Sequence, residues 1–191
     1  QFKLGLTLER QGKWAPAERA FQAAIRGKRD HPTAWLRLVA VCRRLGKVRE
    51  EEVAAREAVR LAPRSGEAHH ALAVTLARNG QPEEAVAAFE ATLRLAPSNA
   101  VAHRGLGTAL TVLGRHGDAA AAFGRAAHLD PGSARVHVQH AEAHRRQRRW
   151  GEAAEAYRAA LALRPAVAVL HGRLGLMLER QRRYRDAVAA F

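Results

Sequence analysis

Residues 100–131 read AVAHRGLGTALTVLGRHGDAAAAFGRAAHLDP. Leu106 and Leu110 lie four apart, so they share one face of a helix. Gly114 follows, where a left-handed backbone ends a helix most easily. Asp118 then stands at the start of a second helical stretch, where an acid suits the helix dipole. Ala119 and Phe123 are again four apart. The small residue lets two helices approach and the ring fills the space between them. Pro131 stops the second helix. The stretch predicts an antiparallel helix pair joined by a tight turn.

The same order recurs every 34 residues along the chain, with no insertion or deletion. The leucine column is Leu4, Leu38, Leu72, Leu106, His140 and Leu174. The turn column is Gly12, Gly46, Gly80, Gly114, Arg148 and Arg182. The ring column is Phe21, Ala55, Phe89, Phe123, Tyr157 and Phe191. Pro63, Pro97, Pro131 and Pro165 close successive units. Ser65, Asn99 and Ser133 then stand where the next helix needs a cap. ERQGKW from Glu9, RRQRRW from Arg145 and ERQRRY from Glu179 are one helix end and turn in three units. Their aromatics, Trp14, Trp150 and Tyr184, are expected to pack at the turn.

This pattern resembles the tetratricopeptide repeat, with Leu106-Gly107, Gly114, Ala119, Phe123, Ala126 and Pro131 all in place in the best unit. The resemblance covers the whole chain. It implies an all-α, right-handed superhelical solenoid of antiparallel helix pairs, with units near 1–31, 32–65, 66–99, 100–133, 134–167 and a shortened 168–191. Departures are visible. Leucine replaces the usual tyrosine at Leu8, Leu76, Leu110 and Leu178. Glu51 and Ala55 weaken the second helix of the second unit, and Gly27 and Arg29 loosen the end of the first. The start at Gln1 and the stop at Phe191 inside a helical pattern read as a fragment of a longer protein.

Composition agrees with helices: Ala, Leu, Arg and Glu dominate the 191 residues. The single cysteine, Cys42, excludes an internal disulfide framework, and its place on an apolar column predicts a buried inert thiol. No apolar run is long enough to span a bilayer. A cytoplasmic location is the expectation. The 32 Lys and Arg against 18 Asp and Glu leave a formal charge of +14, which favours anionic partners.

The resemblance implies that first helices line a concave surface and that a partner segment lies along it. Just before the turn column come Arg10, Arg44, Arg78, Val112, Arg146 and Arg180. Arg43 and Arg145 stand beside them, Arg37 and Arg173 lie further back, and Arg104 and Arg135 extend the same surface. Guanidinium groups fork onto carboxylates and phosphates. The expected function is therefore a protein-interaction scaffold holding an extended acidic peptide in a basic groove. Two alternatives are an appended region of a larger glycosyltransferase, sulfotransferase or polymer synthase handling an anionic polymer, and a nucleic-acid binder using Arg145, Arg146, Arg148, Arg149 and Trp150. Exposed solenoid ends also permit self-association. The column Leu6, Ala40, Val74, Thr108, Glu142, Leu176 holds no asparagine, which argues against the chaperone-tail clamp of this family and against the asparagine ladder of sugar-transferase superhelices.

No catalytic constellation is present, and no cofactor is expected. Ser65, Ser98 and Ser133 all sit at inter-unit turns. His69, His103, His137 and His171 recur with the repeat, at the place of Trp35, and are expected to fill one packing slot. His137, His140 and His144 share a helix face and form a weak metal-site candidate. The same rings stand on leucine columns, so the fifth unit is expected to soften in acid.

Overall fold

The computed structural model describes residues 1–191, which form twelve α-helices and no strand. It divides into two compact halves, Gln1–Pro97 and Ser98–Phe191. The N-terminal half holds α1 (Phe2–Arg10), α2 (Trp14–Gly27), α3 (Pro32–Leu45), α4 (Val48–Leu61), α5 (Gly66–Arg78) and α6 (Pro82–Leu95). The C-terminal half holds α7 (Ala100–Val112), α8 (His116–Leu129), α9 (Ala134–Arg146), α10 (Trp150–Leu163), α11 (Ala168–Arg180) and α12 (Tyr184–Ala190). Each odd-numbered helix packs against the even-numbered one that follows it.

The turns inside the pairs follow the glycine column. Gly114 has a φ of +72°, and the N–H of Arg115 reaches back to the carbonyl of Leu110 at 2.9 Å. That bond satisfies a carbonyl which the helix end would otherwise leave open. Arg148 and Arg182 adopt the same left-handed backbone, at φ of 59° and 61°. The Arg149 N–H still reaches the His144 carbonyl at 3.0 Å, so the turn survives without glycine, at a cost of about 1 kcal/mol. The even helices stop at Leu61, Leu95, Leu129 and Leu163, two residues before each proline.

The expected caps form at two of three positions. Ser65 accepts from the Ala68 N–H at 3.2 Å, and Asn99 accepts from the Ala102 N–H at 2.9 Å. Ser133 makes no such bond, contrary to expectation. His31 supplies a cap the sequence did not suggest, its Nδ1 accepting from the Ala34 N–H at 3.3 Å.

Within each half, the core lies between the helices of each pair and between neighbouring pairs. Phe21, Phe89, Phe123 and Tyr157 are buried, each with its alanine partner four residues earlier. Burying one such ring is worth about 2–3 kcal/mol. The fit is tight where a first helix crosses: a Cβ on Gly107 would sit 2.8 Å from the Phe123 ring. Three expected core residues are not buried. Leu4 is 50% exposed, Tyr184 61% and Phe191, the last of the ring column, 73%.

Candidate binding surface

The arginines read from the sequence sit at and before the C-terminal ends of the first helices, and their surroundings differ. In the N-terminal half, Glu51 of α4 occupies a position where other repeats carry alanine, and it is only 2% exposed. Arg43 Nε lies 2.7 Å from its Oε1, and Arg78 Nη1 lies 3.1 and 3.0 Å from its two oxygens. The Thr75 hydroxyl donates to the same carboxylate at 3.0 Å. A buried carboxylate is tolerable only when its lone pairs are met in this way.

The C-terminal half repeats the arrangement with different parts. Glu142 of α9 accepts from the Tyr157 hydroxyl, from Arg145 at 2.8 Å, and from Arg173 of α11. Burial alone would raise this carboxyl, but the Tyr157 hydroxyl, Arg145 and Arg173 outweigh it and hold it below the ordinary carboxylate range. The phenol responds in the other direction: burial and the adjacent carboxylate push Tyr157 up.

The remaining arginines divide into two groups. Arg37 reaches Glu9 at 3.7 Å. Arg44 lies over the Trp14 ring at 5.4 Å, and Arg180 over the Trp150 ring at 5.9 Å, so the turn aromatics are lids for arginines of the next pair. Arg10 and Arg146 are exposed and make no ion pair. Arg104 is half-buried and shares a hollow of about 120 Å³ with Asp130. The surface in each half is thus basic but not uniformly open: internal carboxylates occupy Arg43, Arg78, Arg145 and Arg173. The signal for this was in the sequence, in an acid at the small-residue column and another on a first helix, but residue type alone does not show which cations a carboxylate meets.

The histidine column has a role beyond filling a slot. His69, His137 and His171 each place Nε2 against the carbonyl of the preceding proline, at 2.9, 3.0 and 2.8 Å, which ties down the loop between pairs. His137 is therefore directed at Pro131, away from the other two rings of the metal candidate. His140 and His144 face each other, Nε2 to Nε2, at 3.0 Å, and no group of three ligands assembles. Burial, then the neighbouring His144 and His137, lowers His140 to about 4. Cys42 is fully buried, and burial followed by the nearby Glu18 carboxylate pushes its thiol up to about 12.

The family model for the tetratricopeptide repeat matches residues 2–66, 70–134 and 138–191. No curated protein sequence matches the chain. Several solved structures share its fold. The crystal structure of YrrB, described as a TPR protein with an unusual peptide-binding site, superposes with a TM-score of 0.80 at 18% identity, covering 90% of this chain and 88% of that one. PilW, described as a widely conserved type IV pilus biogenesis factor, gives 0.77 at 18% identity over 99% of this chain and 88% of its own. MamA from Desulfovibrio magneticus RS-1 gives 0.75 at 22% identity over 84% of this chain and 90% of that one. At these identities the likeness is one of fold.

Proposed function

Because the chain belongs to the tetratricopeptide-repeat family, we propose that it is a protein-interaction scaffold whose first helices take an extended acidic segment of a partner. The observation that carries this reading is the set of exposed guanidinium groups at equivalent first-helix ends. Arg10 and Arg146 have no counter-ion, and Arg44 and Arg180 are covered only by an indole face. Arginine held this way keeps its fork of N–H donors for a carboxylate. The formal charge of +14 supports the same polarity of partner and would speed its encounter. A peptide-binding use also accords with YrrB, which shares the fold. Within each half, the recurrence of arginine at equivalent first-helix positions suits an extended segment better than a compact ligand.

Fluorescence anisotropy with a labelled glutamate-rich peptide tests this. The expected result is binding that weakens steeply as salt rises from roughly 50 to 300 mM. Replacing Arg10, Arg104 and Arg146 by Ala should weaken it roughly tenfold, about 1.4 kcal/mol. Binding indifferent to these arginines would overturn the arginine surface. Displacement of the peptide by far lower concentrations of single-stranded RNA would instead make the chain a nucleic-acid binder.

A further inference from the structure

A hollow of the C-terminal half lies between the N-terminal ends of α9 and α11 and has a volume of about 830 Å³. Its apolar wall is made by Val138, Leu163, Val167 and Leu170. Arg135 and Arg164 line it as well, and neither side chain makes an ion pair or a hydrogen bond within the protein. No carboxylate lines it. Asp130, the acid of the adjoining loop, lines the smaller hollow beside Arg104 instead.

The polar groups around this hollow are left without partners. The repeat normally provides a cap here: Ser65 and Asn99 each bond a first-turn N–H of α5 and α7. In α9, Ser133 makes no cap bond, so its hydroxyl stays uncommitted. In α11 the cap residue is Val167, which has no side-chain acceptor to offer. Both helix starts at the hollow are therefore uncapped. Gln139 also lines it, and its buried Oε1 receives no hydrogen bond, an acceptor that a peptide N–H would satisfy.

We infer that this hollow is a specificity subsite for a partner segment in which a bulky apolar side chain stands next to an acidic residue. The apolar side chain lies on Val138 and Leu170, and the side-chain carboxylate is forked by Arg135 and Arg164, with the uncapped start of α11 adding donors of the same sign. The commitment to a carboxylate rests on the lining charge, which is positive without any acid. The commitment to an apolar neighbour rests on the four aliphatic side chains beneath. The inference rests on the reading of the chain as a scaffold for acidic segments and assigns that segment a composition.

Three labelled peptides test it by anisotropy: a short acidic peptide with a central Leu-Phe pair, the same peptide with Ser-Ser in the centre, and the Leu-Phe peptide with its acids changed to amides. The first should bind roughly tenfold more tightly than either of the others. Arg135→Ala with Arg164→Ala should narrow the preference for the Leu-Phe peptide over the Ser-Ser one, weakening the acidic Leu-Phe peptide the most. Leu163→Ser should narrow the preference too, and Leu163 is exposed enough that the fold tolerates the change. Val167→Asn gives α11 the cap that Asn99 gives α7, so that variant should fold at least as well and still bind the Leu-Phe peptide more weakly. Equal binding of the Leu-Phe and Ser-Ser peptides, or a preference unmoved by these variants, overturns the subsite and leaves the arginine surface standing. Absence of binding to every acidic peptide overturns both.

Discussion

The Glu51 carboxylate holds Arg78 through both of its oxygens, 3.1 and 3.0 Å from a single guanidinium nitrogen. The acid comes from α4 and the arginine from α5, so the pair fastens one repeat to the next. It stands where the repeat elsewhere buries alanine. The stripe arginines are thus not all equivalent: some are structural cations and some are open.

Glu51→Ala restores the residue common at that column and is still expected to destabilise the N-terminal half. The variant leaves Arg43 and Arg78 without their counter-charge, while the Thr75 hydroxyl keeps the Ala71 carbonyl at 2.9 Å. Breaking a buried pair from one side costs several kcal/mol, but these arginines are partly exposed and can turn to water, so about 1–3 kcal/mol is expected. Urea unfolding measures it. The same change should strengthen binding of an acidic peptide severalfold, because two guanidinium groups are released.

Gly107→Ala should cost about 1–3 kcal/mol, because the new Cβ would lie 2.8 Å from the Phe123 ring and that ring is enclosed. Arg148→Gly should act in the opposite sense and add about 0.5–1 kcal/mol, since it relieves a left-handed arginine at φ of 59°. Thermal melts of the two variants check both signs.

Acid should loosen the region around α9. His140 is lowered to about 4 by burial and its neighbouring rings, and His144 is lowered by burial and Arg149, with Glu152 opposing. A histidine depressed in the fold resists protons that the unfolded chain accepts near pH 6.5. Its stabilisation is therefore whole above about pH 6.5 and is lost as the pH falls toward about 4. Solvent at these half-buried rings screens part of the effect, leaving about 1–2 kcal/mol. Hydrogen exchange of residues 137–147 at about pH 5.5 and about pH 7.5, corrected for the intrinsic rate, should show lower protection in acid. His140→Leu with His144→Leu restores the leucines found at Leu106 and Leu110, removes the unpaired His144 Nδ1, and should abolish the difference. Equal protection of the parent chain at both pH values contradicts this.

The fold was legible because each repeat states it separately. The columns of leucine, glycine, alanine, phenylalanine and proline are local requirements of a helix pair, and the helices end where the prolines and glycines say. Exceptions arose where a contact depends on the neighbouring repeat. Leu4 and Tyr184 follow the pattern but stay exposed. Ser133 occupies a cap position without forming the bond. The candidate site was legible as a row of arginines and no further. Which of them are quenched depends on where Glu51 and Glu142 point, and that is set by packing between pairs. The lids formed by Trp14 and Trp150, and the proline-tied histidines, are also contacts across a loop or between pairs.

The most direct test follows the arginine side-chain Nε–H resonances by NMR while a glutamate-rich peptide is added. Arg10, Arg104 and Arg146 should shift with the peptide concentration, while Arg43 and Arg78, already held by Glu51, should move little. Shifts confined to second-helix arginines such as Arg60 and Arg158, or no shifts at saturating peptide, would contradict the assignment of the first-helix surface as the binding site.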